Sequence, residues 1–145
     1  MTESLTLAGN AISSLIEHAV THDGTRAALR HFGEFWSAIL HDSDFNAGCP
    51  VVSVVVGGSP EDQHLQSTAA DIFERWHDAL VRAITSEGVD PTRAPQLATM
   101  AIAAIEGAVM LCRTQRSTSP LDDVLAELDI LLTSVTPDTR GDSPR

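Results

Sequence analysis

The 145-residue sequence contains no lysine, so its nine basic residues are all Arg, and twenty Asp and Glu outnumber them to give a net charge of -11. Nucleic-acid affinity comes largely from Lys and Arg neutralising phosphates, so this chain by itself is expected not to bind DNA. Tyrosine is absent too, and aromatic residues make up only 4% of the chain. Cysteine is limited to Cys49 and Cys112, far apart and with no CxxC pair, which excludes a disulfide framework and a zinc-finger-like site. Both read as reduced, buried thiols. Cys49, beside Pro50 at a helix start, also occupies a position where a thiol pKa can fall, the arrangement of a redox sensor.

Long apolar runs are missing as well. The longest near-continuous stretch, residues 97–112, falls short of the roughly 20 residues of a membrane span and is broken by Glu106 and Gly107, so no membrane is expected. Residues 1–7 lack the positive flank and apolar run of a secretory signal, which points to the cytoplasm. No GxSxG, P-loop, GxGxxG or paired-carboxylate arrangement occurs, so no catalytic residue and no cofactor is assigned. His18 and His22, four apart with Glu17 and Asp23 nearby, could offer metal ligands, but without an HExxH pattern they read as exposed helix histidines. No metal site is assigned.

What the chain does have is 43% hydrophobic and 20% charged residues, the balance of a soluble globular domain with one core. Leu5, Ala8, Ile12, Leu15, Ile16 and Ala19 form the stripe of an amphipathic helix over residues 3–21, ended by Gly24. A second helix over residues 25–40 sets Leu29, Phe32, Trp36 and Ile39 on one face. The run from Val51 to Val56 has strand composition. No second strand-like segment exists to pair with it, so Pro50 is expected to open a short buried helix that Gly57 and Gly58 close. Ser59-Pro60, Asp90-Pro91 and Ser119-Pro120 each combine a capping side chain with Pro and mark three further helix starts. The Asp90 helix is apolar nearly all round and is expected to be covered on every side. The helix over residues 121–134 carries more apolar surface than one seam needs, which implies a second partner surface. Residues 1–135 read as one domain and residues 136–145 as a disordered tail.

The pieces Phe35-Trp36, Gly48-Cys49-Pro50-Val51, Phe73 to Trp76, Ala104-Ile105-Glu106-Gly107-Ala108 and Arg113 with Arg116 to Leu121 resemble the C-terminal regulatory domain of TetR-type transcriptional regulators, most closely the LmrA/YxaF-like subgroup. The resemblance covers residues 25–132 and implies an all-α domain of about six helices that binds a small effector and forms a homodimer through its last two helices in a four-helix bundle. It further implies an N-terminal helix-turn-helix domain, which this chain is expected to lack. Helices that the family pairs around its cavity carry the candidate ligand residues Phe32, Phe35, Trp36, Phe73 and Trp76, with Met100 on the apolar helix, and these favour an apolar or aromatic effector. The candidate dimer residues are Glu106, Gly107, Leu111, Leu125, Leu128 and Leu132. Glu106 stands out, because a carboxylate in an apolar helix is costly unless paired or protonated, and Arg75, Arg82 or Arg113 is its expected partner. Two other functions remain open from the sequence: an all-α metal-dependent hydrolase built on His18 and His22, and a partner that forms heterodimers with intact regulators and disables them.

Overall fold

The computed structural model describes residues 2–138, and among these the chain forms six α-helices and no strand. They are α1 (Thr2–Asp23), α2 (Thr25–Asp42), α3 (Pro50–Gly57), α4 (Gln63–Ser86), α5 (Ala94–Gln115) and α6 (Ser119–Val135). The all-α expectation is met, and the Val run is indeed helical. Cys49 precedes α3 in extended backbone, Pro50 takes its first turn, and Gly58 ends it with its N–H on the Val54 carbonyl. Val51 is fully buried while Val55 and Val56 face outward, so the run has one inner face, as a helix requires.

The Pro-marked starts behave in three ways. Ser59 and Asp62 form a reciprocal cap over a 3-10 turn (Pro60–Asp62) that feeds straight into α4. At Ser119 the helix begins one residue early, with Pro120 inside its first turn. At Asp90 the expectation fails: its carboxylate accepts both the N–H and the hydroxyl of Thr92, which holds residues 91–93 in a turn, and α5 opens only at Ala94. The same hydrogen bonds hold the Asp90 carboxyl below its ordinary pKa.

Helix packing follows a closed ring. α1 lies between α2 and α4, α4 packs on α5, α5 on α6, and α6 returns to α2, while α3 covers α4 and α1 from outside. Gly9 lets α4 cross α1 closely, since a Cβ there would stand 2.5 Å from the Ile72 side chain. One turn on, the Trp76 indole N–H donates to Ser13 Oγ at 2.9 Å, and Ser13 donates to the Gly9 carbonyl at 2.8 Å. These small residues of α1 therefore bring Trp76 to the middle of the ring. At the open end Gly24, with φ +82, turns the chain from α1 into α2. There the first N–H of α2, on Thr25, donates to Glu87 just beyond α4 at 2.6 Å.

One expectation about coverage needs correction. α5 runs for 22 residues, and its length and composition alone would suit a membrane span. It nevertheless buries Leu97, Ala101, Ile105 and Val109 against α4 and α6, as a core helix does. It is not covered on every side, because Met100, Met110 and Leu111 are about half exposed. Of the expected disordered tail, Pro137 packs beside Gly88, and residues 139–145 lie outside the described residues.

Candidate functional site

A small cavity sits at the centre of the ring. Ala28, Leu29 and Phe32 of α2 form one wall, Trp76 and Leu80 of α4 the opposite one, and Ile16 of α1 closes an end. Ile102, Ile105 and Glu106 of α5 complete it. Its volume is about 30 Å³, room for about two water centres. On the far side of Ile102 and Glu106 an open groove of about 400 Å³ runs along α4 and α5, lined also by Phe73, His77 and Val52. Glu106 and Ile102, one helical turn apart, belong to both spaces and form the wall between them.

Among the described residues, Glu106 is the only ionisable side chain lining the cavity. Burial pushes its carboxyl up to about 7, and the Cys49 thiol, hydrogen-bonded to it, opposes that shift. The expected Arg partner is not there. The Arg75 guanidinium donates to Asn10 at 2.9 Å, Arg82 lines a separate groove with Glu17 and Thr21, and Arg113 lies over Gly48, where an added Cβ would meet its guanidinium at 2.8 Å. None of the ion pairs among the described residues involves Glu106. Cys49 is correspondingly far from an activated thiol. Burial, then the Glu106 charge, raise it to about 12, outweighing the backbone N–H groups of Val52 and Val51 that favour the thiolate. The redox-sensor arrangement raised by its place at a helix start is therefore absent.

The carboxyl half of α5 thus organises the loop between α2 and α3. Glu106 meets Cys49, Arg113 covers Gly48, and Arg116 pairs with Asp44 at 2.6 Å while lying over the Phe45 ring. Gly48 leaves room for the Arg113 guanidinium, which any side chain there would shift aside. Asp44 and Phe45 both take positive φ, and the loop is closed by the Phe45 N–H on the Leu40 carbonyl at 2.7 Å.

The structure divides the six ligand candidates. Phe32 and Trp76 line the cavity, and Phe73 lines the outer groove. Trp36 is buried against the Phe32 ring edge but does not line the cavity, and its indole N–H has no hydrogen-bond partner. Phe35 and Met100 are 37% and 44% exposed and face outward, because their helix positions point away from the ring. The aliphatic lining of Leu29, Leu80, Ile102 and Ile105 was missed. Its signal was present, since Leu29, Leu80 and Ile102 lie three or four residues from Phe32, Trp76 and Glu106 on the same helices, and Ile105 lies three from Ile102.

The dimer candidates also divide. Leu128 and Leu132 are 4% and 5% exposed within this single chain, and Leu125 packs against α2 at Gly33. Leu128 and Leu132 thus belong to the protomer's own core, and Leu125 is partly buried against it. Glu106 faces the cavity and Cys49 instead. Gly107 and Leu111 remain outward: nothing stands within 4 Å of a Cβ at Gly107, and Leu111 is 51% exposed. With Met100 and Met110 they form a stripe along α5, and on α6 Ile130 is 60% exposed. His18 and His22 stack ring on ring at 4.2 Å, and the His22 ring contacts the His18 carbonyl at 2.9 Å, so the pair packs locally.

The profile of a family described as transcriptional regulator LmrA/YxaF-like, C-terminal domain, matches residues 25–127. Uncharacterized HTH-type transcriptional regulators from two strains of Mycobacterium tuberculosis are 32% identical over 141 residues, which covers 94% of this chain and 71% of theirs. The uncharacterized HTH-type transcriptional regulator YxaF of Bacillus subtilis is 21% identical over 131 residues, covering 90% of this chain and 69% of its own.

Proposed function

This chain belongs to the family of LmrA/YxaF-like C-terminal domains of transcriptional regulators, and from that premise we propose that it is the effector-sensing and homodimer-forming part of such a regulator. The observation that carries the sensing half is the cavity between Phe32, Trp76, Leu80 and Ile105, apolar except for one carboxyl in its wall. Small-molecule sites commonly have this form, an apolar hollow with few polar anchors. At about 30 Å³ the cavity is too small for an effector, and movement of Glu106 and Ile102 would merge it with the outer groove. A ligand that binds only the merged form draws the population toward it, and the helices bounding the cavity carry the change to the rest of the molecule.

The dimer half is supported by the exposed stripe of Met100, Met110, Leu111 and Ile130 around the bare surface of Gly107. Two copies meeting along α5 and α6 would cover it and form a four-helix bundle. The bundle seam is thus proposed at these outward residues rather than at Leu125, Leu128 and Leu132. With a net charge of -11, contact with DNA is assigned to a helix-turn-helix segment like those in the relatives' names, and the compartment to the cytoplasm, where Cys49 and Cys112 stay reduced.

Sedimentation equilibrium and a binding titration test the two halves separately. The expected result is a dimer at micromolar concentration that Leu111→Asp converts to a folded monomer. A wild-type protein monomeric throughout that range would remove the dimer half. A protein that binds no apolar probe at its solubility limit would remove the sensing half.

A further inference from the structure

Glu106 poses a problem that the protein's own residues leave unsolved. A carboxylate facing an apolar space is costly unless a cation or several strong donors meet it. The Cys49 thiol is a weak donor and supplies one contact to a group with about four acceptor sites. The arginines that could reach this region are turned elsewhere: Arg113, two turns along the same helix, covers Gly48, and Arg75 holds Asn10. The titratable groups around it are Cys49 from the α2–α3 loop and, in the outer groove, His77 and Glu74 of α4. His77 is held by the Pro95 carbonyl, to which its Nε2–H donates at 3.0 Å. Glu74 adds a second negative charge, and the chain as a whole is acidic.

We infer that the effector has an apolar frame with one basic group, and that this group pairs with the Glu106 carboxylate where the inner cavity meets the outer groove. The inference rests on the sensing role proposed above and names the class of molecule sensed. An anionic effector would meet Glu106 and Glu74 with like charge. A neutral one would leave the carboxyl as it stands. A cation supplies the partner that the Arg residues do not, while its apolar frame fills the space between Phe32, Trp76 and Ile105. Its arrival also gives the wall a reason to move, because pairing draws Glu106 away from Cys49 and opens the passage between the two spaces.

The test compares benzyltrimethylammonium, a permanent cation, with neopentylbenzene, its neutral carbon isostere, by calorimetric titration of the full chain. The cation is expected to bind about tenfold or more tightly than the isostere at pH 8. Burial holds the Glu106 carboxyl near 7, so cation affinity should fall about tenfold between pH 8 and pH 6 as it protonates, and isostere affinity should not change. Glu106→Gln, which keeps shape and hydrogen bonding, should remove both the preference and the pH dependence. A wild-type measurement guards against a misfolded variant: titration at pH 7 in buffers of different ionisation enthalpy should show about half a proton released per cation bound and none for the isostere. Equal binding of both probes, or a cation preference that survives in Glu106→Gln, overturns the inference while leaving the sensing cavity in place. Binding of neither probe, to wild type or variant, removes the cavity reading and this inference with it.

Discussion

Leu128 and Ile130 stand two residues apart on α6, about 200° around the helix axis, so a single pair of substitutions tests which way that helix faces. Leu128 is 4% exposed and belongs to the core, whereas Ile130 is 60% exposed. Truncating a buried Leu to Ala loses the transfer energy of its methyl groups and leaves a void, together about 2–5 kcal/mol. Against the roughly 5–15 kcal/mol that stabilises a domain, that is a large fraction, and it should lower Tm by about 6–12 °C if the loss is near 3 kcal/mol. Ile130→Ala, with little contact inside the protomer, should change the protomer's own stability by about 0.5 kcal/mol or less. Urea unfolding at two protein concentrations tenfold apart separates the effects. The Leu128→Ala loss should be the same at both concentrations, since it arises within one chain. Any loss in Ile130→Asp should shrink as protein concentration rises, since it arises from dissociation. If Leu128→Ala costs under 1 kcal/mol while Ile130→Ala costs more at every concentration, α6 presents the opposite face and the reasoning here is wrong.

Further outcomes follow from individual side chains. Glu106 has its folded pKa raised from 4.5 to about 7, so the native state holds a proton that the unfolded chain releases between those values. Stability should therefore decline as pH rises from about 4.5 to about 7, by on the order of 3 kcal/mol from this group, and Glu106→Gln should flatten that decline in a pH series of denaturant melts. Cys49, buried and with its thiol pushed up to about 12, should resist Ellman's reagent at pH 8 until the chain unfolds, and rapid labelling of native protein would contradict its placement. Glu87→Ala should destabilise the fold by about 1–2 kcal/mol, because it strips the partner from the buried first N–H of α2; a neutral result in thermal melts would mean that water replaces it.

Local chemistry made most of the helices readable before any coordinates. Gly24, the Ser59 cap and the Ser119-Pro120 step mark where the chain stops and restarts, and the solitary Val run could not have satisfied its backbone as a strand. Asp90-Pro91 misled because Thr92, two residues on, offers Asp90 a closer pair of donors than a helix N-terminus would. The cavity was half legible. Phe32 and Trp76 stood out as rare aromatics, while the aliphatic residues that do equal lining work looked like any other core positions. Glu106 was conspicuous from sequence, but its neighbour was not, because Cys49 reaches it across fifty-seven positions of chain through the tertiary packing of α5 on the α2–α3 loop. The face of α6 was not legible for a related reason: a helix rich in Leu shows an apolar stripe whether it packs on its own protomer or on a copy, and only tertiary packing, as of Leu125 on α2 at Gly33, tells them apart.

Sensing by this domain requires that the cavity beside Trp76 receive a small apolar molecule. A Trp36→Phe variant leaves Trp76 as the sole indole, and titration with the neutral fluorophore N-phenyl-1-naphthylamine reads that site alone. Saturable quenching of Trp76 emission, abolished when Ala28→Leu fills the cavity in a protein that still folds, is the predicted result. Emission that never saturates, or saturates equally in the filled variant, would contradict it.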